Sequence, residues 1–162
     1  MGRERTIPAL LCASLIAVLG GCGGGDGETE KLSAEDIVAE GDEICREGQQ
    51  QFAEALADSP SNASEARDEA EELLDVENGT LDRLRALSPP DELRASYERY
   101  LAARAAAIDK LEQGRDAAAD HDAGAYTAAL EELNGAAAKR RKLAETVGFE
   151  ACSAPPAEAA SG

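Results

Sequence analysis

Large apolar side chains recur along this chain at helical spacing, and prolines and capping residues punctuate the runs. Ile37, Gly41, Ile44 with Cys45, Gly48, Phe52 and Leu56 fall three or four residues apart, which places them on one face of a helix. Ser33 and Asp36 predict its start, because a hydroxyl and a carboxylate can satisfy amides that no helical carbonyl reaches. Asp58-Ser59-Pro60-Ser61 breaks the run. A second helix begins near Asn62, has Glu65 three residues on, and carries Ala66, Ala70, Leu73 with Leu74, Leu81, Leu84 and Leu87. Asn78-Gly79 lies inside it and leaves open whether that helix is kinked or split. Pro89-Pro90 forces a boundary, and Pro90-Asp91-Glu92 suits a first helical turn. The third stripe is Leu93, Tyr97, Tyr100 with Leu101, Arg104, Ile108 and Leu111. After a connection at 120–124, the fourth is Tyr126, Leu130, Leu133, Ala137, Leu143 with Ala144, and Val147. Gly148 reads as a left-handed stop, with apolar Phe149 in the next place of a Schellman motif.

No stretch alternates with period two, so the expected fold is all-α: an up-down-up-down four-helix bundle over residues 33–152. Composition pulls the other way. Of the 70 residues classed as hydrophobic, 34 are Ala, and the net charge is −17. Few large apolar groups with high charge is the signature of disorder. The phased stripes are what disorder would not produce, so the expectation is a thin, Ala-rich core. Phosphate would be repelled by a chain this acidic, which excludes nucleic acid as a partner.

Residues 1–21 read as an export signal. Arg3 and Arg5 precede a 13-residue apolar stretch, Ile7 to Leu19, too short for a stable span. It ends in Leu19-Gly20-Gly21-Cys22, which resembles the lipobox of bacterial lipoprotein signals. That resemblance implies cleavage before Cys22 and diacylation of its thiol, enough for stable anchoring on the extracytoplasmic face of the cell membrane. The alternative is an ordinary secretory peptide whose cleavage site contains a cysteine. Cleavage removes two arginines and one glutamate, leaving −18. Residues 22–32 form a Gly-rich acidic tether with a reach of roughly 17 Å, and residues 153–162 are expected to be a disordered tail.

With Cys12 removed and Cys22 acylated, as the lipobox implies, Cys45 and Cys152 are the only cysteines left. In an even-numbered antiparallel bundle the last helix returns to the starting end of the first. A structural disulfide is therefore expected in this oxidising compartment. The competing reading, a redox or metal thiol pair, lacks CxxC spacing and a neighbouring His.

Sites of chemistry are sparse. His121, the one histidine, sits in Asp120-His121-Asp122, where three adjacent loop residues cannot enclose a metal, and Asp122 reads as a helix N-cap. Glu-x-x-His pairs, EF-hand loops, phosphate-binding glycine loops and zinc spacings are missing. No catalytic residue, metal site or cofactor is predicted, and the chain is not expected to be an enzyme. The stretch Asp68, Glu69, Glu71, Glu72, Asp75 and Glu77 reads as a solvated helix surface, or as an attractor of cations or a basic partner. Lys139-Arg140-Arg141-Lys142 reads as a complement to the helix dipole, with acidic neighbours and anionic lipid as alternatives. Tyr97, Tyr100 and Tyr126 are expected at the edge of the core.

Leu19-Gly20-Gly21-Cys22, Ile44-Cys45, Leu87-Ser88-Pro89-Pro90 and Val147-Gly148-Phe149-Glu150-Ala151-Cys152 together resemble a loose class of small lipoproteins of high-GC Gram-positive bacteria. The class brings location and architecture but no activity. The expected function is a membrane-anchored, non-catalytic binding or scaffold module with an envelope protein or wall component as partner. The alternative is a ligand- or cation-binding accessory lipoprotein of a transport or sensory system.

Overall fold

The computed structural model describes residues 32–155, in which α1 (Ala34–Ala55), α2 (Ala63–Ala86), α3 (Asp91–Ala119) and α4 (Ala123–Val147) run in succession. The expected signal 1–21, acylated Cys22, the tether up to residue 31 and the tail from 156 lie outside the described residues.

Side chains expected to start the helices do so. Ser33 Oγ accepts from the Asp36 amide at 3.1 Å, and the Asp36 carboxylate accepts from Ser33 N at 3.3 Å. Asn62 Oδ1 accepts from the Glu65 amide at 3.1 Å. Hydrogen bonds from Ser61, with help from Asn62, hold the Glu65 carboxyl below the usual range. Asp122 Oδ1 accepts from the amides of Gly124 and Ala125 at 3.0 and 2.9 Å. α2 runs unbroken through Asn78-Gly79, both of which are exposed. Its inward residues on either side, Leu74, Glu77, Thr80 and Leu81, stay buried, and that packing outweighs the weak helix preference of an Asn-Gly pair.

Two helices end in the same motif. Gly148 has φ 100°, its amide reaches Glu145 O at 3.1 Å, and the Phe149 amide reaches Ala144 O at 3.1 Å. This is the expected Schellman motif. α3 repeats it with His121 as the left-handed residue, φ 56°: its amide reaches Ala118 O at 3.1 Å and that of Asp122 reaches Ala117 O at 2.9 Å. A histidine tolerates this conformation better than most side chains.

The core has two parts. At the end where α1 begins and α4 stops, Ile37, Ile44, Leu84, Tyr97, Tyr100, Ala144, Val147 and Phe149 pack around the Cys45–Cys152 disulfide. Tyr97 and Tyr100 are 2% and 0% exposed, so they fill the centre and not the edge of the core. Both meet Phe149 edge-on, at centroid distances of 6.0 and 5.4 Å, a favourable ring geometry. Burial pushes the Tyr97 phenol up from its ordinary value, with Tyr100 adding to the shift. Tyr97 donates its proton to Leu84 O at 2.6 Å. The turn after Phe149 is tied to α1 by Asp42, whose carboxylate accepts from the amides of Glu150 and Ala151 at 3.0 and 2.8 Å. Gln49 Nε2 donates to Ala151 O at 2.6 Å. The turn runs on to Ala154, whose amide reaches Glu150 O, two residues past the boundary expected at Cys152. Further along the bundle, Ala70, Leu73, Leu74, Leu81, Ile108 and Leu111 form the second core.

Small residues draw α3 and α4 together, since a Cβ on Gly114 would lie 3.8 Å from that of Ala129. Packing is continuous from α1 to α2, α2 to α3 and α3 to α4, but α1 and α4 do not pack along each other in the same way. Their stripes lose cover toward the same end. Phe52 is half-buried, Leu56 is exposed, and on α4 Leu133 is half-buried and Leu130 exposed.

Candidate functional site: a cleft between α1 and α4

The open edge of the bundle is a cleft of about 600 Å³. α1 contributes Cys45, Gly48, Gln49, Phe52, Ala53 and Leu56 to it; α3 contributes Arg104, Ala107, Ile108 and Leu111; α4 contributes Leu133, Asn134, Ala137, Arg140 and Arg141. Cys152 and Ala154 line the end nearest the bridge, and Glu77 reaches in from α2. The size falls within the range of small-molecule sites, which are apolar with a few convergent polar groups.

Those polar groups form a layer beside the cleft. Arg104 Nη2 lies 2.8 Å from Glu77 Oε2, and Arg140 Nη1 donates to both Glu77 oxygens at 3.2 and 3.1 Å. Their side chains are 7%, 11% and 19% exposed for Arg104, Glu77 and Arg140. Arg104 Nη1 also approaches Tyr100 Oη at 3.4 Å, and the Tyr100 hydroxyl lies 3.4 Å from Cys45 Sγ. Because that sulfur is in the disulfide and carries no proton, the hydroxyl is the donor. A chain of polar contacts thus runs from the bridge to the ion layer. The buried Nε atoms of Arg104 and Arg140 have no hydrogen-bond partner among the described residues. Two guanidiniums share one carboxylate, which leaves a net charge of +1 in a low-dielectric place.

Sequence reasoning missed this layer. Glu77 is not part of a solvated surface: it is buried, while Asp68, Glu71, Glu72 and Asp75 of the same stretch are exposed. Its signal was phase, four residues after Leu73 and four before Leu81, on the inward stripe. Arg104 carries the matching signal between Tyr100 and Ile108. The basic run is divided too. Lys139 and Lys142 are exposed, Arg140 holds Glu77 and Arg141 lines the cleft. The last turn of α4 contains no basic residue, so dipole complementation is not what the arginines do.

Cys45 and Cys152 are joined, their Cα atoms 5.1 Å apart. His121 lines a shallower hollow of about 370 Å³ with Asn62, Asp122 and Tyr126 at the opposite end of the bundle. Burial and, after it, Glu69 raise the Tyr126 phenol above its ordinary value. Among the described residues no three His, Cys, Asp or Glu side chains are grouped to hold a metal ion, and no helix is long and apolar enough to cross a membrane. No protein-family model matches the chain, and neither a curated protein nor a solved structure is significantly similar to it.

Proposed function

We propose that the chain is a membrane-anchored, non-catalytic binding module of the cell envelope that takes a small ligand into the cleft between α1 and α4. The observation that carries the ligand is the open edge itself: two amphipathic helices keep their apolar stripes half-covered along a space of about 600 Å³. A bundle with so few large apolar residues would gain from closing that edge, at roughly 25 cal/mol per Å² buried. Leaving it open is costly unless something else covers it. The anchor is supported by Leu19-Gly20-Gly21-Cys22 behind its apolar stretch. The non-catalytic reading is supported by His121, the one imidazole, standing as the left-handed stop of α3.

A neutral apolar fluorophore such as N-phenyl-1-naphthylamine tests the cleft. It should brighten on mixing with the chain, and Ala137→Phe, which fills the space, should abolish the signal. An unchanged signal in Ala137→Phe places the dye elsewhere and refutes the site. The anchor is tested by Cys22→Ala, which should move the protein out of the acylated membrane fraction.

A further inference from the structure

We propose that the ligand is an anionic amphiphile, its single acidic head on Arg140 and Arg141 beside Arg104 and its apolar body along Phe52, Ile108, Leu111 and Leu133. This rests on the cleft being the binding site and names the class of molecule it takes.

Charge selection comes first. The chain has 33 Asp and Glu residues, yet among the described residues the only carboxylate lining the cleft is Glu77, and two arginines already hold it. Arg104, Arg140 and Arg141 against Glu77 make the cleft wall +2 in a protein of −17. An acidic surface with one cationic recess focuses potential there and draws anions past carboxylates that would repel them elsewhere.

Desolvation comes second. A ligand body that covers the cleft takes Arg140 and Arg141 out of water, and burying a charge without compensation is strongly unfavourable. A neutral body leaves that cost standing, and a cationic head adds repulsion. An acidic head removes it, because a guanidinium fork matches the paired oxygens of carboxylate or phosphate. Among the described residues the Nε donors of Arg104 and Arg140 meet no acceptor, so the arginine donors there outnumber what Glu77 accepts.

Shape comes third. The head region lies next to the disulfide, where Cys152 and Ala154 line the cleft. From Cys45 to Leu56 the α1 wall extends roughly 17 Å at 1.5 Å per residue, away from the head toward the exposed Leu56. Such a slot, polar at its bridged end and apolar along its length, fits a linear molecule with one charged end.

The test uses a chain starting at Gly23, because the four helices, both cores and the bridge all lie within residues 32–155. Dodecanoate, dodecyl phosphate, dodecanol and dodecyltrimethylammonium are titrated below micelle formation by calorimetry. The acidic head predicts that dodecanoate or dodecyl phosphate binds at least tenfold more tightly than dodecanol, and that the ammonium compound binds worst. The order of the two anions identifies the head as carboxylate or phosphate. Arg140→Met keeps the side chain's length without its charge, and should bring the preferred anion to the affinity of dodecanol, while dodecanol, which no longer has that charge to desolvate, binds at least as tightly as to the parent chain. Retained dodecanol binding shows that the variant is folded. Equal affinity for anion and alcohol in the parent chain overturns the acidic-head assignment but leaves the cleft as a site. If none of the four binds, the cleft reading falls with it. Concentration-dependent doubling of mass without amphiphile binding would assign the cleft to a second copy of the chain and overturn both.

Discussion

Replacing Gly41 by alanine should destabilise this protein, against the usual effect of that substitution in a helix. Within a helix, Gly→Ala is favourable by about 1 kcal/mol, because alanine has less backbone freedom to lose. At Gly41 the new Cβ would stand 2.5 Å from Phe149 Cζ, well inside van der Waals contact. Whether this matters depends on whether the ring can move. Its backbone is held by the bond to Ala144 O at 3.1 Å, and the following turn by Asp42 and the bridge from Cys152 to Cys45. Tyr97 and Tyr100 pack on the ring edge-on, and only 1% of Phe149 is exposed. Overpacking a core of this kind costs about 1–3 kcal/mol, and the upper part of that range applies where the neighbour is pinned. Subtracting the helical gain leaves a net loss of about 1–2 kcal/mol.

Gly79 supplies the internal control, since a Cβ there meets nothing within 4 Å. Gly79→Ala should raise stability by up to about 1 kcal/mol from propensity alone. The assay is urea unfolding of the oxidised chain followed by circular dichroism, reading the midpoint at constant slope. Trimming the ring in Phe149→Leu should partly rescue Gly41→Ala, with a coupling of at least about 0.5 kcal/mol in the double-mutant cycle. If Ala at 41 stabilises as Ala at 79 does, Phe149 is not held as described and the reasoning fails.

Three further outcomes are expected. His121→Gly should raise stability by up to about 1 kcal/mol in the same urea assay, because glycine takes the left-handed turn without the Cβ penalty; a loss would mean that the imidazole makes stabilising contacts. Replacing both Cys45 and Cys152 by alanine should cost up to roughly 4–5 kcal/mol on the loop-entropy model, for a bridge between residues 107 apart in sequence, and reductant should then have no further effect on the midpoint. Burial first, and then repulsion from Glu72, raise the Glu69 carboxyl above its ordinary 4.5. A raised folded value means that its contribution is fully present below the unfolded value and is lost as pH rises through the folded one. Glu69→Gln should therefore raise the midpoint at pH 7 and lose that advantage below about pH 4; a pH-independent effect would show that charge is not the cause.

Most of what is local was legible in the residues. Ser33, Asn62 and Asp122 start helices where their short polar side chains could cap, and Gly148 with Phe149 stops one. His121 falls in the connection expected at 120–124, but its left-handed conformation is not legible where glycine is the residue that signals such a turn. Arg104 falls on the inward stripe of the third helix as expected, but Glu77, expected on a solvated surface, is buried because its phase outweighs its charge. Each alone on an inward stripe would be costly, yet together they satisfy each other, and a single helix cannot reveal that its partner exists.

By itself the sequence determined the helices and their ends, since spacing of three and four residues and capping chemistry are properties of the chain alone, whereas the fold is what brings Cys45 and Cys152 to a Cα distance of 5.1 Å. Tertiary structure decided how far the bundle closes. Volume at each level of the stack sets that closure. Phe149 and two tyrosines fill the bridged end, while Gly114 and Ala129 bring α3 and α4 together toward the other. α4 therefore follows α3 and leaves α1 behind, and the stripe expected to be core on both helices becomes the wall of a cleft with three arginines at one end. Periodicity names the face that turns inward, but only packing decides whether anything meets it.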